Sequence, residues 1–380
     1  MPTKRREKTS SKEAKVKDYS DDPYTTKDKA FYCNIYNGFL IKGIIDFLCQ
    51  KLSSRVKFRY LSTGLSLRQM DEHKHVCYDI DLSNECFKLY HYKGEKKDET
   101  GEGAFSVNIK HVQKLVKNVK KKEGIIIFIP KGHKKLGISI YPQTNPNTVS
   151  KIEASFFSIQ KEEIYQPDDV GVPEFYELNG QRYPVYGNPM VVHAPDFQKI
   201  KKITNLGKRI TVNINGISNM IIRGAEGDIY SSTLEFNNEK KIDDSDDESD
   251  DSSSSISTFD GETVDELTAS EDDGENTDDD IEDGDDDEED DEEEDEEEDE
   301  DDESRHYVSD FDSKTFSILT KLPPISKQIQ FYPPICGTSY PLFVKANVGD
   351  NGSAKVYIKN EKQVAYEESL KKGEKKGIRS

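Results

Sequence analysis

Lys110, Lys114, Lys117 and Lys121 recur at i, i+4, i+7 and i+11, a spacing that gathers ammonium groups on one face of an α-helix. Ile109, Val112, Leu115, Val116 and Val119 form the apolar stripe opposite. Two later segments follow the same design. Asp196 to Leu206 would bury Phe197, Ile200 and Ile203 while showing Lys199, Lys201 and Lys202. Ser313 to Leu322 would bury Phe316, Leu319 and Leu322 while showing Lys314 and Lys321. A helix over Phe39 to Leu52 carries Leu40, Ile41, Ile44, Ile45, Leu48 and Leu52 on one broad face, with Lys42 and Lys51 outside it. One lysine face is ordinarily a solvated surface. Several of one sign, with few acids among them, suit a polyanion held through its phosphates without reading bases. Aromatic residues do not interleave with these lysines, so stacking on single-stranded bases is not the natural chemistry.

Charge is also segregated along the chain. Of 380 residues, 53 are Lys or Arg and 75 are Asp or Glu, for a formal net charge of −22. Residues 242–304 hold 39 of the acids and no Lys or Arg, leaving 53 basic residues against 36 acidic ones elsewhere. An acidic low-complexity insertion therefore interrupts a basic protein, and a basic surface faces polyanions. With few apolar residues and mutually repelling charges, residues 238–304 are expected to be an elongated, disordered loop. Closure entropy grows slowly with loop length, so a folded domain tolerates it. Ser245, Ser249 and Ser270 precede acids in the manner of acid-directed phosphorylation sites.

The elements that must position the lysines read as α+β. Strands are expected at Val56–Tyr60, Leu65–Arg68, Val76–Leu82 and around Leu89 and Tyr90, with Ser62-Thr63-Gly64 as a turn. Ile125–Ile129 and Gly137–Tyr141 follow the second helix. Ile210–Ile214, Met220–Arg223, Gln328–Tyr332, Leu342–Asn347 and Lys355–Ile358 belong to the second half. Helix, strand, turn, strand thus occurs four times, giving two similar domains of two helices packed on antiparallel sheet. The expected boundaries are a basic arm (1–29), domain 1 (30–158), an interdomain connector (159–188), domain 2 (189–361, interrupted at 238–304) and a polar basic tail (362–380).

Against this plan, particular residues resemble the proliferating cell nuclear antigen (PCNA) family of DNA sliding clamps. Gly64-Leu65-Ser66-Leu67-Arg68-Gln69-Met70-Asp71, followed by His75-Val76, is similar to the family's strand-and-loop signature. Val170-Gly171-Val172-Pro173-Glu174 resembles its connector, and Phe316 to Ser326 its last helix and turn. Tyr340 to Val344 and Lys355 to Ile358 resemble its closing strands. The similarity is collinear from about Phe31 to Asn360. It implies a closed ring trimer, with Lys42, Lys51, Lys110, Lys114, Lys117, Lys199, Lys202, Lys314 and Lys321 facing duplex DNA. It also implies a pocket for short partner peptides at Met70, His75, Tyr78, Val170, Val172, Pro173, Pro341 and Tyr357. Subunits would meet along Val149 to Phe157 and Asp228 to Phe236, including Val149, Ile152, Ala154, Ile229 and Leu234. The implied partners are double-stranded DNA, a polymerase and other clamp-binding proteins, a clamp loader and further copies of the chain. The chain departs from the family pattern in a longer connector holding Tyr183, Pro184 and Tyr186, in Gln50 where a basic residue is usual, and in an expanded turn from Pro333 to Ser339.

Catalytic chemistry has little to stand on. The sequence has no Walker A loop, no GxGxxG and no GxSxG. His73-Lys74-His75-Val76-Cys77 alternates like a strand and offers no fourth metal ligand, so neither enzyme nor cofactor is expected. Cys33, Cys49, Cys77, Cys86 and Cys336 are odd in number and lack CxxC spacing, which suits buried thiols in a reducing compartment. With no run of 18 apolar residues, no membrane span is expected. Met1 to Lys17 has no apolar core for a secretory signal. Lys4-Arg5-Arg6 is either a solvated arm or a nuclear address, and the expected setting is a nucleus or a viral replication compartment. Two rival readings remain: a subunit of a heterotrimeric checkpoint-type clamp, and an acidic histone-binding chaperone.

Overall fold

The computed structural model describes residues 26–52, 55–92, 103–143, 154–162, 166–226, 230–238 and 306–377. The first half runs β1 (Lys29–Ile35), α1 (Gly38–Leu48), β2 (Arg55–Leu61), β3 (Gly64–Met70), β4 (Val76–Ser83), β5 (Leu89–Tyr92), β6 (Gly103–Asn108), α2 (Ile109–Val116), β7 (Glu123–Pro130), β8 (Lys135–Pro142) and β9 (Ser155–Glu162). A hairpin, β10 (Phe175–Leu178) and β11 (Gln181–Pro184), precedes the second half. That half runs β12 (Met190–His193), α3 (Ala194–Phe197), α4 (Ile200–Thr204), β13 (Arg209–Asn215), β14 (Asn219–Glu226), β15 (Tyr230–Asn237), β16 (His306–Asp312), α5 (Ser313–Phe316), β17 (Gln328–Tyr332), β18 (Leu342–Val348) and β19 (Gly352–Ile358). A final helix, α6 (Glu361–Gly377), closes the described chain.

Both halves repeat one unit, a strand, a helical segment and three strands, twice over. Antiparallel pairing follows the repeat: β2 pairs with β3 and β6 as β13 pairs with β14 and β16, and β1 pairs with β7 as β12 pairs with β17. The halves join edge to edge, because β4 pairs with β19 from Val76↔Ile358 to Leu82↔Gly352. A 13-stranded sheet results, in the order β12-β17-β18-β19-β4-β3-β2-β6-β9-β8-β7-β1-β5, beside a four-stranded sheet β15-β14-β13-β16. Period-two burial explains the register. In β4, Val76, Tyr78, Ile80 and Leu82 go into the core, while Asp79 and Asp81 stand on the other face.

Helices α1 to α5 lie on the buried side. α1 packs against α2, where Gln113 Nε2 donates to Asp46 Oδ1 at 2.8 Å. α4 packs against α5, and both α1 and α4 meet the 3-10 turn Ser317–Lys321. Three helices start on the same device, a strand running into a side-chain cap. Asn37 Oδ1 accepts from Leu40 N (3.2 Å), Asn108 Oδ1 from His111 N (3.4 Å) and Asp312 Oδ2 from Thr315 N (2.8 Å). The apolar stripes read from the sequence are in the core: Ile44, Leu48, Val112, Val116, Phe197, Ile200, Ile203, Phe316, Leu319 and Leu322 are all buried.

Several boundaries move. Lys29, assigned to the arm, is fully buried in β1 with its Nζ 4.1 Å from the Phe128 ring centre. β9 carries the sheet to Glu162, pairing with β6, so the connector does not begin at 159. The helix expected from Asp196 to Leu206 is two short segments. Pro195 occupies its first turn without a side-chain cap, and Lys199 and Lys201 bond back three residues instead of four. The Ser313–Leu322 helix tightens to 3-10 geometry after Phe316. The tail from 362 is helical. The arm before residue 26, residues 239–305, and the interface positions Val149, Ile152 and Ile229 lie outside the described residues.

Gly64 shows how tightly the β3–β4 corner is built. Its φ is +151°, and a Cβ there would lie 2.1 Å from Leu82 O. Gly64→Ala is therefore expected to destabilise the fold by at least ~1–3 kcal/mol, measured as a lowered urea midpoint with an unchanged slope.

Candidate nucleic-acid and partner interfaces

The helical layer presents the lysines unequally. Lys110, Lys114, Lys117, Lys202 and Lys314 are exposed. Lys199 is exposed but donates to Asp196 Oδ1 at 2.9 Å. Lys42 is half-buried, with its Nζ 5.3 Å from the Phe39 ring centre. Lys51 is half-buried and donates to Thr315 Oγ1 at 3.4 Å, linking the end of α1 to α5. Lys321 is half-buried as well. The exposed positive charge thus lies on α2, α4 and α5, and Lys42 and Lys51 are partly committed to the protein itself. Because Lys199 already has a carboxylate partner, Lys199→Ala is expected to weaken duplex binding less than Lys202→Ala, compared side by side in a low-salt titration.

Two strand edges stand open at related places. Among the described residues, β15 bonds only to β14, and Ser155–Ser158 of β9 bonds only to β8. By the internal repeat, β15 corresponds to β4 and β9 to β19, the pair that joins the two halves. Open edges of this length invite pairing with another chain. Leu234 in β15 is half-buried against the core, and Ala154 packs beside Tyr32, Ile126 and Phe128.

On the opposite face of the large sheet, the expected peptide pocket is divided. Met70 and Val170 come together in a cleft of about 410 Å³, completed by Lys74, Asp169, Gly171, Lys359, Glu367, Leu370 and Lys371. The connector is fastened there by Asp168, whose Oδ2 accepts from Met70 N at 2.7 Å. His75 lines an adjoining cleft with Glu72, His73, Lys74 and residues of α6. Burial holds the His75 imidazole below its ordinary pKa; Asp71 opposes that shift, and His73, Lys359 and Lys51 reinforce it. Pro341 and Tyr357 lie at a third place, under the connector's own Tyr186. Its hydroxyl donates to Pro341 O at 2.9 Å, and its ring stands 5.4 Å from Phe343 and 6.5 Å from Tyr357. Tyr357 in turn stacks on Phe343 at 4.9 Å.

Tyr78 is a correction. It is wholly buried on the helical side, edge-on to Phe47 at 5.0 Å, because even-numbered residues of β4 point inward. Its strand neighbours across the outer face are Cys77 and Asp79. Val172 is half-buried and Pro173 exposed, and neither lines the Met70–Val170 cleft.

The sequence reading missed two parts of this surface. The β10–β11 hairpin stacks Tyr176 on Tyr183 at 5.7 Å and leaves Phe175 and Leu178 exposed. Asn179-Gly180, both at positive φ, was its legible turn signal. The other is α6. Burial raises the Cys49 and Cys77 thiols to about 12, the state of inert structural cysteines. Among the described residues no group of three His, Cys, Asp or Glu could hold a metal, and no helix is long and apolar enough to cross a membrane.

This arrangement, a repeated strand–helix–three-strand unit with the helices of the repeats on one side of antiparallel sheets, is the DNA-clamp fold. The chain has the fold of PCNA-type sliding clamps. It superposes on proliferating cellular nuclear antigen from Entamoeba histolytica with a TM-score of 0.56 at 13% identity, covering 88% of this chain and 99% of that one. Against the PCNA2–PCNA3 complex of Sulfolobus tokodaii the TM-score is 0.55 at 14% identity, covering 87% and 99%. No family model matches the sequence, and no curated protein does.

Proposed function

We propose that this chain is a DNA sliding clamp, a non-catalytic ring that encircles duplex DNA and tethers a replicative polymerase and other DNA enzymes. The observation that carries this reading is the layer of helices bearing exposed lysines, backed by antiparallel sheets in which the unpaired sides of β15 and of Ser155–Ser158 in β9 correspond to the chain's own internal junction. Phosphate contacts hold a duplex with nearly equal strength at every position, which lets a ring slide. Pairing β15 of one copy with β9 of the next would repeat the β4–β19 junction between chains and close the ring. Three copies then form a homotrimer, installed by a clamp loader, in a nucleus or a viral replication compartment. Partner proteins dock short peptides at the Met70–Val170 cleft. The test is stimulation of a polymerase on a primed template, by the full chain and by a chain lacking residues 243–303. A clamp keeps its stimulation without the acidic segment, whereas a histone chaperone has no stimulation to keep.

A second reading has one specific support: the Sulfolobus tokodaii structure is a complex of PCNA2 with PCNA3. A checkpoint-type subunit would stay monomeric alone and assemble only with different partners. Sedimentation of the purified chain separates the two, since a homotrimer forms unaided.

A further inference from the structure

The C-terminal helix stands where a partner would approach the connector. Its start is firmly built. Asn360 is buried, its Nδ2 donates to Thr338 O at 3.0 Å, and it shares a reciprocal capping box with Gln363, both bonds 2.9 Å. Glu361 pairs with Arg209 at 2.8 Å, and Glu367 with Lys359 at 2.5 Å. Val364 and Glu367, one helical step apart, face the clefts. Past Glu367 the helix still borders the cleft but is open to solvent: Ser369, Lys371 and Lys372 are exposed, and Leu370 is 52% exposed although it lines the Met70–Val170 cleft. Gly373 and Gly377 further weaken this end. The helix is therefore anchored over its first two turns and loosely laid over the cleft beyond them. On the other side the aromatic slot at Pro341 and Tyr357 is held by Tyr186, so Leu370 guards the apolar floor left open.

We propose that α6 is a resident cover of the partner-peptide cleft, which a partner must displace beyond Glu367 to reach Met70 and Val170. The inference rests on the reading of that cleft as the peptide site. A cover docked most of the time lowers apparent affinity by the fraction of chains left open.

The test uses a fluorescent synthetic peptide forming one helical turn with two adjacent phenylalanines. It is titrated against the full chain, a chain ending at Glu368, and the full-length Leu370→Asp variant, which keeps every anchoring contact of the first two turns. Both altered chains are expected to bind about tenfold more tightly than the full chain. Saturating the full chain with peptide should also speed amide exchange within 368–372. Equal affinity for all three, with unchanged exchange, overturns the cover; the cleft reading then stands if Met70→Glu abolishes binding. Weaker binding by the shortened chain also overturns it, making α6 part of the peptide's own contact surface. Absence of binding to every form refutes the cleft reading and the cover with it.

Discussion

Replacing Lys110, Lys114, Lys117 and Lys202 together with alanine is expected to lower duplex affinity at low salt on the order of 100-fold. Folding should be unaffected, because these side chains are exposed and the apolar stripes beneath them are untouched. Removing each lysine–phosphate interaction should also flatten the dependence of log affinity on log salt by about one unit. Neutralising Lys42 and Lys51 instead should do less to binding, since one lies along the Phe39 ring and the other is bonded to Thr315. Fluorescence anisotropy over a salt series measures both effects. An unchanged salt slope in the fourfold variant would remove DNA from the helical face.

The second large effect concerns the open edges. Leu234→Glu puts a carboxylate on β15, at the edge assigned to the neighbouring copy. It is expected to convert a particle of three times the 43.3 kDa chain mass into monomer, read by sedimentation velocity at micromolar concentration. Leu234 also touches the core, so some loss of stability accompanies the change. Ser231→Lys and Thr233→Lys, at exposed edge positions, disrupt pairing by putting a charge at the seam that must be desolvated, and spare the core. Trimer formation by all three variants would place the subunit contact elsewhere.

Much of the fold is legible in the sequence where a period is clean. The 3.6-residue stripes of Ile109–Val119 and Phe316–Leu322 gave the buried faces, and the alternation of Val76–Leu82 gave β4. Where a role is carried over from the resemblance against the strand's own period, the reading fails. The resemblance alone places Tyr78 at the pocket, although the alternation of Val76, Tyr78, Ile80 and Leu82 sets it on the inward face. Its register against Gln69 and Val356 agrees with that face. Helix continuity was misjudged at Gln198 and after Phe316, because i→i+3 bonding leaves the same apolar spacing over a single turn. α6 was missed for a different reason. Its Glu, Lys, Ala and Leu favour helix by propensity alone, without an apolar stripe to announce a packed face. The lysine face is similarly visible as a set, but which members remain exposed and uncommitted depends on Asp196, Phe39 and Thr315. Two of those neighbours come from the same helical segment as their lysine, and the third lies 264 residues away in sequence.

The central proposal is topological, that the protein encircles DNA. The most direct measurement threads the chain onto a linear duplex tethered at one end, blocks the free end with a bulky protein, washes at high salt, and then cuts the duplex. A sliding clamp stays on the blocked duplex through the wash, because a ring needs no ionic contact to remain linked, and is released by the cut. Loss of the protein in the wash, equally from blocked and open duplexes, would contradict the account.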